Sequence, residues 1–449
     1  MRIFAACMRR VKELEESIEA LKKLSFEDLL RHAIQQERRN FELENVLSKR
    51  QRDDSSVTKK NRFFNFQQYK MRHIALQFAY LGWNYSGLAL QGSAHPATVM
   101  EKLLDALEKC KLIDDRESLN FTVCGRTDKG VSALGQVISV VVRSALLSGL
   151  GIVEDSGPDA EERSCMLTID IIKIQISAVS DTELDYVYIL NKVLPADIRI
   201  LAWSPTHPDF NARFTCLKRS YTYYLPYSGL DLAAMKKAAL QLVGTHDFRN
   251  ICSVQVESDT PTFVRRVDNV MVHQLESDPV CPTTMCQISV SASGFLYHQI
   301  RCIVSLLVMI GRGYEPVSLI EDLLDISKTP AKPQYQIAGD IPLLFTDAEY
   351  PEDSVHWNTS EAAQLDLIRH FQKLWSEHAI RSMTVKTLLD HVERRWARSP
   401  FPLYHLDRII PEGRWREERV CGKGSHKSLY KRPIELTVEE KLSRFKRKK

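Results

Sequence analysis

What the 449-residue sequence lacks narrows its chemistry first. Its 10 cysteines and 13 histidines form no C-x-x-C pair and no H-x-x-x-H or H-E-x-x-H pattern. A zinc centre is therefore not expected, nor is a disulfide framework in a chain of this size. There is no G-x-x-x-x-G-K-[ST] and no strand-linked G-x-G-x-x-G, so nucleoside triphosphates and dinucleotides lack their usual cradle; the serine-hydrolase G-x-S-x-G is missing too. The longest apolar run, Ile300–Ile310, is broken by Arg301 and Ser305 and falls short of the ~18 residues of a membrane-crossing helix. The N-terminal apolar stretch, Ile3–Cys7, is too short for a secretory signal. Arg2, Arg9, Arg10 and Lys12 precede any acidic residue, as in a mitochondrial presequence, but acidic residues crowd in from Glu13. A reducing compartment, nucleus or cytoplasm, is the expectation.

A strong charge of one sign is also missing: 61 basic against 57 acidic residues leave +4. The distribution is uneven. Residues 1–70 hold 16 Lys/Arg and 11 Asp/Glu, and residues 414–449 hold 13 and 5, so the ends carry +5 and +8 and the middle −9. Basic ends on an acidic body suit an anionic partner, although solvated basic tails are common in their own right.

Val11, Leu14, Ile18 and Leu21 recur at helical spacing, so residues 1–48 read as a helical, coiled-coil-like extension, followed by a polar linker to residue 70. The body opens with Ile74, Leu76, Phe78 and Tyr80 alternating as a strand does. Thr98 caps a helix containing Val99, Leu103 and Leu107. Strands follow at Leu119–Val123, Gln136–Val142 and Leu167–Ile176, around an insertion at 148–164, and then a helix at Thr182–Leu190. A second set begins with strand Arg219–Leu225 and helix Asp231–Val243. Strands Val264–His273 and Gln287–Ser293 and an apolar helix, His298–Gly311, complete it, with Gly311-Arg312-Gly313 as the helix stop. The pattern predicts an α+β fold with antiparallel sheet in two successive halves, 71–205 and 206–346. A helical extension (347–413) and a basic tail (414–449) follow.

The segment richest in chemistry is Cys124-Gly125-Arg126-Thr127-Asp128-Lys129-Gly130-Val131-Ser132-Ala133. Read locally, it is either a polar turn or a carboxylate held in a cleft beside cations; a free Asp, with a pKa of about 3.9, is already ionised at neutral pH. Arg213, Lys218, Arg219, Tyr221, Tyr223 and Tyr224 interleave cations with aromatics, which suits phosphate binding and base stacking, or a sheet whose tyrosines fill the core. In Gly294-Phe295-Leu296-Tyr297-His298-Gln299-Ile300-Arg301, an Arg on an apolar helix needs an anionic partner, and Asp128 is a candidate. His298 is equally well read as structural.

The segment C-G-R-T-D-K-G-V-S-A resembles the catalytic motif of the TruA-type tRNA pseudouridine synthases. Tyr80-Leu81-Gly82-Trp83-Asn84-Tyr85-Ser86-Gly87 resembles their first strand and loop. Lys218-Arg219-Ser220-Tyr221-Thr222-Tyr223, Gly244-Thr245-His246-Asp247-Phe248 and Phe295-Leu296-Tyr297-His298 are similar to later motifs, in the same order. The resemblance spans about residues 71–346 and implies two similar α/β halves forming one continuous, mostly antiparallel or mixed sheet with a central RNA-binding cleft. Its C-G-R-T-D-K-G form, G-T-H-D-F-R-N, Lys332-Pro333-Gln334-Tyr335 and the charged N-terminal helix are most similar to the eukaryotic branch acting on positions 38 and 39 of the anticodon stem-loop. Bacterial members usually carry Trp where Leu88 stands, and 148–164 adds length; both departures bear on how tRNA approaches.

The resemblance implies that Asp128 is the nucleophile, that Arg126 takes the place of a flipped-out base, and that Tyr221 stacks on the target uracil. It implies that Leu296 lines the same pocket, and Arg301 matches a family position whose pairing with Asp128 is read from the residues alone. Isomerising uridine breaks N1–C1′ and joins C5 to C1′; it needs no metal, redox partner or cosubstrate, so no cofactor is expected. The implied partners are tRNA, through its anticodon stem-loop, and a second copy of the chain in a homodimer; no membrane is implied. The alternatives are a synthase for other tRNA positions or other RNAs, and a catalytically inactive tRNA-binding protein.

Overall fold

The computed structural model describes residues 64–92, 96–117, 119–153, 182–227, 230–254, 262–275, 285–396 and 426–448. The chain divides into Met1–Asn65 and Phe66–Lys449, and the fold that follows is that of the second unit. The helical extension 1–48, most of the linker, the strand expected at Leu167–Ile176, residues 154–164 of the insertion and residues 397–425 lie outside the described residues.

The first half contains β1 (Met71–Tyr80), α1 (Val99–Lys109), β2 (Phe121–Val123), β3 (Ser132–Arg143), α2 (Tyr186–Asn191) and β4 (Ile198–Pro205). The second contains β5 (Lys218–Pro226), α3 (Leu232–Gln241), β6 (Gly244–Asp247), β7 (Val264–Gln274), β8 (Met285–Ala292), α4 (Gln299–Gly311), α5 (Leu319–Leu324) and β9 (Leu343–Glu349). Beyond them lie α6 (Glu361–Trp396) and α7 (Val438–Lys448). Among the described residues, nine strands make one sheet in the order β4-β1-β3-β9-β5-β8-β7-β6, with β2 on β3. All pairings are antiparallel except β3 with β9, which run parallel through Ser132–Leu344 and Ala133–Phe345. The fold is α+β, as the sequence pattern predicts. No helix of the described residues is long and apolar enough to cross a membrane.

Each half has its own core. Ile74, Leu76 and Phe78 of β1 pack with Leu103 and Leu107 of α1 in the first. Val270, Ile288 and Val290 pack with Ile303, Leu306 and Leu307 of α4 in the second. Tyr221 packs against both, which places it at the seam where β9 joins the halves. Local signals act as expected at α1, where Thr98 Oγ1 accepts the Glu101 N–H at 3.2 Å and Glu101 Oε2 accepts the Thr98 N–H at 3.3 Å. α4 is buried all round except at Arg301, and Gly313 stops it with φ +71°.

Two expectations are corrected. The helix placed at Thr182–Leu190 begins only at Tyr186, capped by Asp185, whose Oδ1 accepts the Tyr188 N–H at 2.9 Å. Glu183 is instead engaged by Arg72, Ser144 and the Ala145 N–H, which holds that stretch out of the helix. The basic tail is not wholly a free extension either. Buried Glu315 accepts from His426 Nε2 (2.6 Å), Ser428 Oγ (3.1 Å) and the Leu429 N–H (2.7 Å). The strap continues through Pro433 and Glu435, which bond the backbone of Gln334 and Lys332. Val438 then packs with Cys252 and Phe263, against which Leu296 and Leu442 also lie. Two apolar residues hidden among charges, Leu429 and Val438, are what dock it.

Candidate active site

The loop before β3 is built by its neighbours. Buried Gln136 clamps Gly125 from both sides, its Oε1 accepting the Gly125 N–H at 3.2 Å and its Nε2 donating to the Gly125 carbonyl at 3.0 Å. Thr127 turns inward, its hydroxyl 2.7 Å from the Tyr80 hydroxyl, and its carbonyl accepts the Leu88 N–H at 3.2 Å. Arg126 and Lys129 are left exposed and Asp128 half-buried.

Glycines of the preceding loop make room. A Cβ on Gly82 would lie 1.9 Å from the Val131 carbonyl oxygen, and one on Gly87, at φ +99°, 3.0 Å from that of Thr127. The Tyr80–Gly87 segment and the Asp128 loop therefore meet backbone to backbone, which only glycine allows.

The facing wall comes from the second half. Arg301 sits in the first turn of α4; its Nε donates to the Ala338 carbonyl at 2.7 Å, and its Nη1 lies 4.0 Å from Asp128 Oδ2. His298, in the left-handed region at φ +59°, caps the same helix with Nε2 3.4 Å from that carboxylate oxygen. Its Nδ1 lies 3.0 Å from Ser253 Oγ, and its ring stacks on Tyr297. Tyr221 stands edge-on to Phe295 and Phe345, with centroids 5.4 and 5.0 Å away. Asp128, Tyr221, Phe295, Leu296, Tyr297, His298 and Arg301 line one cavity of about 900 Å³.

The electrostatics are uneven. Burial raises the Asp128 pKa, opposed by the Arg301 charge and reinforced by Asp340. Burial, with the cations of Arg301 and Lys332, lowers the His298 pKa to about 4, so its imidazole is neutral at physiological pH. Burial pushes the Tyr221 phenol well above its ordinary value. Asp128 is the one carboxylate among the described lining residues, and Arg126, Arg213, Arg219, Arg265 and Arg301 share the wall with it. Among the described residues no group of three or more His, Cys, Asp or Glu is placed to hold a metal ion.

The structure thus brings Asp128, Arg126, Tyr221, Leu296 and Arg301 to one cavity. It separates the cation–aromatic cluster read around β5. Arg219 donates to the carbonyls of Cys124, Arg213 and Ser293, so it staples the halves together rather than offering a free charge. Lys218 pairs with Glu349, and Tyr223 is core. Sequence reading missed Gln136, Ser253 and Asp340; none stands in a motif, and only the spacing of Gly82 and Gly87 hints at the close approach behind the loop.

A family model described as tRNA pseudouridine synthase matches residues 238–351, which include Leu296, His298 and Arg301 but not Asp128. The tRNA pseudouridine(38/39) synthase of Homo sapiens is 38% identical over 391 residues, covering 86% of this chain and 74% of that protein. The protein of the same name in Saccharomyces cerevisiae is 36% identical over 349 residues, 77% of this chain and 70% of its own. A probable tRNA pseudouridine synthase of Caenorhabditis elegans is 38% identical over 340 residues, 75% and 82% of the two chains.

Proposed function

The chain belongs to the TruA-type tRNA pseudouridine synthase family, whose members are isomerases, and on that premise we propose that it converts uridine to pseudouridine at positions 38 and 39 of the tRNA anticodon stem-loop. Asp128 is the nucleophile in this reading, and the target base leaves its stack to reach it. The observation that carries the proposal is the one carboxylate among the described lining residues, with Arg126, Arg213, Arg265 and Arg301 around it. Such a wall attracts a polyanion.

The uracil enters beside Tyr221, whose ring is held upright by Phe295 and Phe345. Arg126, exposed at the lip, fills the space the base leaves and offsets part of the few kcal/mol that unstacking costs. Asp128 acts on the ribose to release N1 from C1′. The uracil then turns within the pocket, C5 joins C1′ as the ribose is released from Asp128, the C5 proton departs to solvent and N1 takes one up from it. Arg301 and the neutral His298 hold the carboxylate in place through these steps. The reaction returns Asp128 unchanged and consumes no second substrate.

A homodimer is part of the same proposal. Ile368, Trp375, Val385 and Leu388 leave α6 with exposed apolar side chains along its length, which supports pairing with a second copy; light scattering of the purified protein tests it. The reaction is tested by tritium release from tRNA carrying 5-tritiated uridine, with EDTA present. Release that disappears in Asp128→Asn is expected. Wild-type protein that releases none from any tRNA pool would overturn the function, and mapping of pseudouridine in cells lacking the protein checks positions 38 and 39.

A further inference from the structure

We propose that Phe214, presented beside Arg213 at the mouth of the Asp128 cavity, is a stacking platform for an unpaired nucleobase of the tRNA substrate, with Arg213 taking a neighbouring phosphate. The inference rests on the tRNA reading above and adds a binding residue to it.

Phe214 is 79% exposed, the highest value among the large apolar residues described. A single exposed apolar side chain is ordinary on a protein surface. This one is set apart by where it stands and by how firmly its backbone is held. Asn211 Oδ1 accepts the N–H groups of both Arg213 (3.0 Å) and Phe214 (3.1 Å). The Asn211 N–H donates to Thr215 Oγ1 at 3.2 Å. Ala212 is gripped from both sides, its N–H by Thr122 Oγ1 at 2.8 Å and its carbonyl by the Tyr350 hydroxyl at 2.6 Å. The Arg213 carbonyl accepts from Arg219. The turn is therefore held in place by six hydrogen bonds, and moving it would break them.

The surroundings select the occupant. The guanidinium of Arg213 lies 5.6 Å from the ring centroid, and both residues border the cavity that holds Asp128, with Arg265 on the same wall. A rigid aromatic face flanked by cations suits a base with its phosphate: every base offers a π-face, and the charges are paired by the backbone. An apolar partner surface would leave those arginines facing no anion, whereas a nucleic acid supplies a ring and a phosphate together.

Equilibrium binding of unmodified tRNA to the full-length protein tests the platform. Replacing Phe214 by Ala or Leu is expected to weaken binding about tenfold or more, and Phe214→Tyr or Phe214→Trp to restore it. In the tritium assay the loss falls on KM more than on kcat. The melting temperature stays unchanged in all four variants, since the ring packs on little. A Phe214→Ala protein that binds tRNA as tightly as wild type, or a Phe214→Leu protein that does, overturns the proposal. Failure of the wild type to release tritium overturns the enzymatic reading alone, because the binding comparison still decides the platform.

Discussion

His298 bridges Asp128 and Ser253: its Nε2 lies 3.4 Å from the Asp128 carboxylate and its Nδ1 3.0 Å from the Ser253 hydroxyl. A neutral imidazole can serve both at once, donating from Nε2 and accepting at Nδ1. The Asp128 carboxylate is thus steadied by a neutral donor, with the cation of Arg301 further away at 4.0 Å. Burial and Asp340 work against its charge, and Arg301 works for it.

The first prediction concerns Asp128 itself. Its pKa is raised by burial, so any stability it lends is present below the unfolded carboxylate pKa of about 3.9 and is lost as pH rises through the folded value. Asp128→Asn should therefore melt at or above the wild-type temperature at neutral pH, with the gap closing in acid. The same variant should keep tRNA binding and lose isomerisation. Calorimetry and tritium release measure the two effects; substantial turnover would sink the nucleophile.

His298 sets an acid limb on stability. Its folded pKa of about 4 lies below the unfolded value of about 6.5, so the unfolded chain takes up a proton first and stability falls as pH drops from about 6.5 to 4. Asn tolerates the left-handed backbone at this position, so His298→Asn should fold and flatten that slope. Urea midpoints across the pH range decide it; an unchanged slope rejects the assignment.

Gly82 tests the backbone-to-backbone contact. A Cβ would be 1.9 Å from the Val131 carbonyl oxygen, and a carbonyl cannot swing aside as a flexible side chain can. Gly82→Ala should cost about 1–3 kcal/mol or more and displace the Asp128 loop, lowering kcat as well as stability. Gly294, whose Cβ would meet nothing within 4 Å and whose φ is not positive, is the control for stability.

The C-terminal strap should matter to the site and not only to RNA capture. Removing residues 426–449 takes away Val438 and Leu442, which share a cluster with Leu296, so turnover should fall. Leu429→Ala, at a site 1% exposed, should cost about 2–5 kcal/mol. A truncated protein with full activity on tRNA would show that the strap serves binding alone.

Much of this was legible in the sequence. The alternation in β1, the Thr98–Glu101 box, the apolar run of α4 and its glycine stop are local patterns, each governed by a few residues' own geometry. The carboxylate and the cations that flank it also stand in one short segment. The strap was harder to read, because its sequence is dominated by charge and two apolar residues do the docking.

The sequence by itself determined which groups were available: one Asp–Arg loop, an arginine on an apolar helix, a tyrosine on an aromatic strand. Only the tertiary structure decided which of them meet. β9, from the end of the second half, slips between β3 and β5 and pairs in parallel with the strand that follows the Asp128 loop. That long-range pairing brings Arg301 and His298 to Asp128 and turns Arg219 onto backbone carbonyls. The reason is physical: polar groups take whichever partner the folded backbone places within about 3 Å, and strand pairing between distant segments leaves little trace in either segment alone.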